Sequence, residues 1–304
     1  MENLNIAVVL VTFNRSAMLN ENLQSLKQQG PLTYFIIDNN SSDDTKEVVD
    51  RFSSNIDDDV FYYNTQSNLG GAGGFAFGCE KALEHENKFT HLWLADDDVT
   101  FYSDCLASLK PYIDTRTILQ PMRYDLNGVN AEASATKIDL DSIFILNHKR
   151  NSVMGTKWEN AIQPFDVQNI PFEGPLIPRA IFEVVGVPDK NYFIFSDDLD
   201  FSLSALRNGF DIKCIPTAKM TRLRPAEPNY KPGDWKSYFV YRNFFHIHKK
   251  FGRNWFVRNR PYLLAFLVSL YCISNFNIAG LKVIKDALFD GMSDDFKLNK
   301  KYIP

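Results

Sequence analysis

The feature that most constrains the fold is a repeated alternation of short β-branched runs with helical stretches, each unit closed by a stop signal. Residues 6–13 form a continuous apolar run, IAVVLVTF, and 17–28 carry apolar positions Met18, Leu23 and Leu26 before Gly30-Pro31 ends the pattern. The unit recurs. YFIID (34–38) reads as a strand, SSDDTKEVVDRF as a helix opened by capping residues and acids, and VFYYNT (60–65) as another strand. HLWLA (91–95) then reads as a buried strand, 103–112 as a short helix and TILQPM (117–122) as a strand. Alternation with short loops predicts an α/β fold: a Rossmann-like, mostly parallel sheet with helices on both faces.

From Arg123 to Gly174 the pattern loosens, with short apolar pieces such as SIFILN, and an insertion or hairpin region is expected. Order returns with a helix in PRAIFEVVG, a strand in YFIF (192–195), a helix over 196–207 and a strand in FDIKCI. After Pro216 the alternation stops, and 234–250, 260–273 and 278–289 read as helices. The expected division is therefore 1–224 for the α/β unit and 225–304 for an appended helical region.

The stretch PYLLAFLVSLYCISNFNIAGL has an uncharged core shorter than the roughly 20 apolar residues of a spanning helix. It fits a buried or an interfacial helix. With Arg253, Arg258, Arg260, Lys282 and Lys285 flanking it, packing on the α/β unit and peripheral membrane contact are both open readings. The 33 basic and 37 acidic residues give a net charge of −4, which offers no basic excess for a phosphate backbone and argues against nucleic acid as a main partner. Four widely spaced cysteines read as reduced thiols, and the opening residues lack a basic n-region, so a cytoplasmic location is expected.

Ligands of open parallel sheets gather beyond the carboxyl ends of the strands. Four such loops are unusual and should meet on one rim: Thr12-Phe13-Asn14-Arg15, then 38–43 with Asp38 and Asn40, then Asn68 through the glycine stretch 70–74, then Asp96-Asp97-Asp98. Three consecutive acids repel one another unless a cation lies between them, and Asp96 and Asp98, one residue apart, point to the same side of extended backbone. Hard ions such as Mg²⁺ or Mn²⁺ suit that site and would bridge a diphosphate. The glycines allow close approach by a ligand ahead of a helix start, and Asp38 and Asn40 suit a base or ribose or a simple turn. Asp197-Asp198 open a helix, whose N-terminus is expected to keep both charged and to leave one free to accept a proton.

Taken in order, VVLVTFNR, IIDNNSSDDT, NLGGAGGF, LADDD, FIFSDDLDFSLSALRNGF and DWKSYFVYRN resemble family 2 glycosyltransferases of GT-A fold, within them the galactofuranosyltransferase-like and rhamnosyltransferase-like group. The resemblance implies an inverting sugar transfer from a nucleotide diphosphate sugar to a hydroxyl of a growing, lipid-linked polysaccharide such as a capsule, made at the inner face of the cell membrane. UDP-galactofuranose is the first donor expectation and dTDP-rhamnose the alternative. By the same likeness Thr12, Phe13, Asn14, Arg15, Asp38, Asn40, Asn68, Gly71, Ala72, Gly73, Asp96 and Asp97 would hold the donor. Asp96 and Asp98 would hold Mn²⁺ or Mg²⁺, and Asp198, with Asp197 beside it, would be the general base. One position departs from the family. Where a histidine commonly completes the metal shell stands Arg222, so Arg222 or Arg224 would meet the diphosphate directly, or His246 or His248 would fold back. The missing histidine also motivates a non-catalytic nucleotide- or glycan-binding module as a rival, and a nucleotidyltransferase is a third reading.

Overall fold

The computed structural model describes residues 4–144, 148–225 and 231–304. The first half alternates as expected: β1 (Ile6–Thr12), α1 (Ser16–Lys27), β2 (Thr33–Asp38), α2 (Thr45–Ser53), β3 (Val60–Asn64), α3 (Gly70–Glu84) and β4 (His91–Asp96). β1 pairs in parallel with both β2 and β4, and β2 with β3. There follow β5 (Val99–Phe101), α4 (Cys105–Leu109) and β6 (Thr117–Tyr124). The loose region is a two-stranded antiparallel hairpin, β7 (Ala135–Ile138) and β8 (Lys149–Ser152), followed by the short β9 (Phe165–Asp166). Part of SIFILN, Ile145 to Asn147, lies outside the described residues.

β10 (Leu176–Pro178) leads into α5 (Arg179–Val185), α6 (Asp197–Arg207) and the long β11 (Asp211–Arg222). The sheet order is β3-β2-β1-β4-β10-β6-β11-β5, with β9 beside β11. β10 runs antiparallel to its neighbours, as β5 does to β11, so the sheet is mixed on one side. Residues of β1 divide by the strand period of two. Val9 and Val11 pack into a core with α3, whereas Val8 and Leu10 pack into a second core with α1 and α2.

Two expectations fail here. The run 192–195 is no strand: a single 3₁₀ turn, Lys190–Tyr192, is followed by left-handed backbone at Phe193, Phe195 and Ser196. Tyr192 and Phe193 are buried because the C-terminal helices cover them, and burial does not need a ladder. The alternation does not stop at Pro216 either, since β11 passes a bulge at that point and continues to Arg222. The last helices are α7 (Trp235–Phe251), α8 (Trp255–Ser274) and α9 (Ile278–Gly291). They pack on one another and against the 192–195 loop through Phe193, Tyr238, Phe239 and Val283. No helix among the described residues is long and apolar enough to cross a membrane.

Candidate active site

A cleft of about 710 Å³ opens beyond the carboxyl ends of β1 and β4. Its walls include Thr12, Phe13, Arg15, Asn68, Gly71, the three acids 96–98, Glu173, Asp197, Asp198, Arg222 and Arg224. Asn14, Asp38, Asn40, Ala72 and Gly73 lie outside this lining. Asp38 instead lines a shallower pocket of about 300 Å³ with Tyr62 and Lys46. Its buried carboxylate accepts from Tyr62 Oη at 2.6 Å and Ser41 N at 2.8 Å. Asn14 and Asn40 take positive φ, and Asn14 Oδ1 accepts from Ser42 N, which ties the first two loops together.

Asp97 and Asp98 form a turn between β4 and β5 rather than extended backbone. One carboxylate oxygen from each of Asp96, Asp97 and Asp98 lies within 4.8 Å of the others. Asn22 of α1 fixes this turn by donating to the carbonyls of Asp96 and Val99 at 3.0 and 2.8 Å. The three acids divide the work. Asp97 is consumed internally: it accepts from Thr12 Oγ1 at 2.8 Å, Phe13 N at 3.2 Å and Arg15 Nη1 at 2.6 Å. Asp98 is 3% exposed, yet its Oδ1 has no hydrogen-bond partner. A buried, unpartnered carboxylate oxygen on a residue that lines a cleft is what a divalent ion would satisfy, so the residues present fit such an ion.

Burial, then the charges of Asp98 and Asp97, push the Asp96 carboxyl well above the usual range, and burial followed by Glu173 raises Asp98. Arg15, 3.6 Å from Asp98, opposes both shifts, and Arg222 opposes that of Asp98. Arg222 is held there by the pairing of β11 with β5, in which it sits opposite Val99. Glu173 lies between Arg222, at 4.0 Å, and the buried Arg123, with which it forms an ion pair. Neither His246 nor His248 enters the cleft. His248 is buried with Nδ1 2.8 Å from the Phe244 carbonyl, and His246 stacks on Phe296 at 3.7 Å.

In the same cleft, burial outweighs the helix N-terminus at Asp197, so the expectation that both Asp197 and Asp198 are charged holds for Asp198 alone. Burial first, then repulsion from Asp198, pushes Asp197 up to about 8, so it holds a proton at neutral pH. Asp198 is pushed up to about 6, chiefly by burial, with the Leu199 N–H and the cations Lys149 and Arg123 pulling it back. Of the pair, Asp198 is the carboxylate that is ionised near pH 7, and so the one able to take a proton.

The model of the family described as "Glycosyl transferase family 2" matches residues 7–183, more than half of the chain. The chain belongs to glycosyl transferase family 2. This glycosyltransferase is 25% identical over 254 residues to the galactofuranosyltransferase GlfT1 of Mycolicibacterium smegmatis, covering 78% of this chain and 81% of that protein. A crystal structure of GalNAc-T7 with UDP, GalNAc and Mn²⁺ superposes with a TM-score of 0.65 at 16% identity. That match covers 94% of this chain, which spans only 55% of the GalNAc-T7 chain. The mannosyltransferase PcManGT from Pyrobaculum calidifontis, in complex with GDP-Man and Mn²⁺, has a TM-score of 0.56 at 15% identity, covering 96% and 88% of the two chains. These structures share the GT-A fold with this glycosyltransferase.

Sequence reading alone passed over Glu173, Lys149 and the reason for DWKSYFVYRN. A signal for Glu173 was its place before Gly174, whose φ of +110° and close approach to Met220 mark a tight crossing at the cleft wall. In DWKSYFVYRN, Trp235 and Lys236 line the cleft, while Arg242 and Asn243 are fully buried. Asn243 Nδ2 donates to the carbonyls of Tyr192, Ile194 and Phe195 at 3.2, 2.7 and 2.8 Å, and Arg242 Nη1 to that of Asn191 at 2.9 Å. These bonds support the left-handed loop that delivers Asp197 and Asp198. Asn243→Ala should therefore cost about 1–3 kcal/mol in a urea titration, because it strands buried carbonyls, and should lower kcat more than it raises KM. An unchanged kcat would show that the loop holds its shape without Asn243.

Proposed function

We propose that this glycosyltransferase moves galactofuranose from UDP-galactofuranose to a hydroxyl of a lipid-linked glycan, with inversion at the anomeric carbon. The observation that carries the reading is one cleft lined by two carboxylate groups: Asp198, ionised near neutral pH, and Asp96 with Asp98, whose Oδ1 has no hydrogen-bond partner. The relatedness to GlfT1 supports the choice of sugar. In this reading Asp198 takes the proton of the acceptor hydroxyl as its oxygen bonds to the anomeric carbon, and the bond to the diphosphate breaks, releasing UDP. Asp96 and Asp98 would hold Mn²⁺ or Mg²⁺, which supplies positive charge to the leaving diphosphate. Thr12, Phe13 and Arg15, braced by Asp97, and Asn68 and Gly71 would form the donor side of the cleft. The four cysteines are free and buried, which suits a reducing compartment and the cytoplasmic face of a membrane. Transfer of labelled sugar from UDP-galactofuranose to a lipid-linked glycan extract, against dTDP-rhamnose as competitor donor, tests the reading; incorporation from the rhamnosyl donor alone would overturn it.

Arg222 would share the charge of the diphosphate by bidentate hydrogen bonding. Arg222→His removes a cation beside Asp98 and adds an imidazole ligand, so Mn²⁺ affinity measured by calorimetry should rise by roughly tenfold while nucleotide binding in chelator weakens. Unchanged Mn²⁺ affinity would mean that Arg222 does not face the ion.

A further inference from the structure

Helix α8 is built inside out. Its buried positions are Val257, Arg260, Pro261, Ala265 and Cys272, whereas its large apolar side chains face solvent. Tyr262, Leu263, Phe266, Leu267, Leu270 and Tyr271 recur at helical spacing, with Phe266 59% and Leu263 53% exposed. The stripe continues past the helix end into Phe276 and Ile278, 92% and 68% exposed. A helix whose only task was to pack on the α/β unit would turn these residues inward, and an apolar face of this extent marks a contact surface.

The charge around it points to the occupant. Between Trp235 and Lys285 the chain has no Asp or Glu and nine Lys or Arg, although the whole protein carries a net −4. Arg253, Arg258, Lys282 and Lys285 are exposed at the ends of α8 and along α9. The next acids in α9 are engaged within the fold: Asp286 accepts from Lys301 and Tyr302, and Asp290 from Tyr238 and Asn299. We infer that α8 lies flat in the surface of an anionic lipid bilayer, its Phe, Leu and Tyr side chains among the acyl chains and the flanking cations at the headgroups. A 20-residue helix without an acid, yet not apolar enough to span, suits that orientation. Since α7 starts with Trp235 in the cleft wall and packs on α8, docking would hold the cleft at a fixed attitude to the membrane that carries a lipid-linked acceptor. The inference names a partner for the proposed function, and shares only the acceptor with it.

The test is flotation of the full chain with phosphatidylcholine vesicles with and without phosphatidylglycerol, alongside sedimentation velocity. Binding is expected with the anionic vesicles, weakened by salt. Leu263→Ser, Phe266→Ser and Leu267→Ser together should reduce it roughly tenfold or more, with the same thermal unfolding midpoint because all three side chains are exposed. Lys282→Gln with Lys285→Gln should reduce binding to anionic vesicles alone. No binding of the unaltered chain to either vesicle would overturn the inference, as would a stable dimer in solution that the triple Ser variant converts to monomer. Because vesicle binding is read without turnover, a failure here is distinct from a wrong donor or an inactive enzyme.

Discussion

Asp198→Asn should reduce glycosyl transfer by a factor on the order of 10³ and leave UDP binding within about twofold, since the substitution keeps the shape of the side chain and removes only its ability to take a proton. The unaltered enzyme should show a matching pH dependence. Burial raises Asp198 from 3.8 to about 6, so the base is ionised above that value and protonated below it. kcat/KM is expected to fall as pH drops through about 6, and Asp198→Asn should erase that limb along with the activity. The neighbouring Asp197, held up to about 8, contributes a neutral partner over this range and should not produce the limb itself. Transfer that survives Asp198→Asn would assign the base to another residue.

The second large effect is expected at Gly70. This residue opens α3 at φ +71°, and a Cβ there would lie 2.2 Å from the carbonyl oxygen of Phe193. That carbonyl accepts from Ala72 N at 3.0 Å, so the start of α3 and the left-handed loop before Asp197 are joined at one point. Gly70→Ala adds both backbone strain and a collision with main chain that cannot rotate away. A loss on the order of 3 kcal/mol or more in chemical denaturation is expected, together with a fall in kcat because the loop carrying Asp198 must move. Gly71→Ala is the control. A Cβ at Gly71 meets nothing within 4 Å and sits in helical backbone, so stability should hold or rise slightly while KM for the donor increases, because Gly71 lines the cleft. Equal stabilities for the two variants would contradict this reading of the glycine stretch.

The alternation of strands and helices was legible because burial and periodicity coincide in β1, β2 and β4, where every stretch of apolar residues is also a paired strand. The same rule fails at 192–195, where Tyr192 and Phe193 are buried by the C-terminal helices rather than by a sheet. The glycines of 70–74 read as a loop, but they belong to the first turns of α3. Their purpose is proximity: a Cβ at Gly74 would lie 2.6 Å from Val11, so the helix can approach β1 only without side chains. The acids 96–98 were legible as a cluster, though not the division within it, since the commitment of Asp97 to Thr12, Phe13 and Arg15 depends on contacts across more than 80 residues of chain. The charge expected at Asp197 fails for the same reason. Local sequence shows a helix start that favours anions, and only the tertiary fold shows that Asp197 is buried.

Calorimetric titration of the full chain with UDP in the presence of Mn²⁺, repeated in chelator and with dTDP in place of UDP, tests the cleft as a nucleotide-sugar site. UDP binding is expected to weaken roughly tenfold or more when the ion is removed, with dTDP the poorer ligand. No binding of UDP in the presence of Mn²⁺ would contradict the assignment of the cleft as a nucleotide-sugar site, and a preference for dTDP would contradict the galactofuranosyl donor.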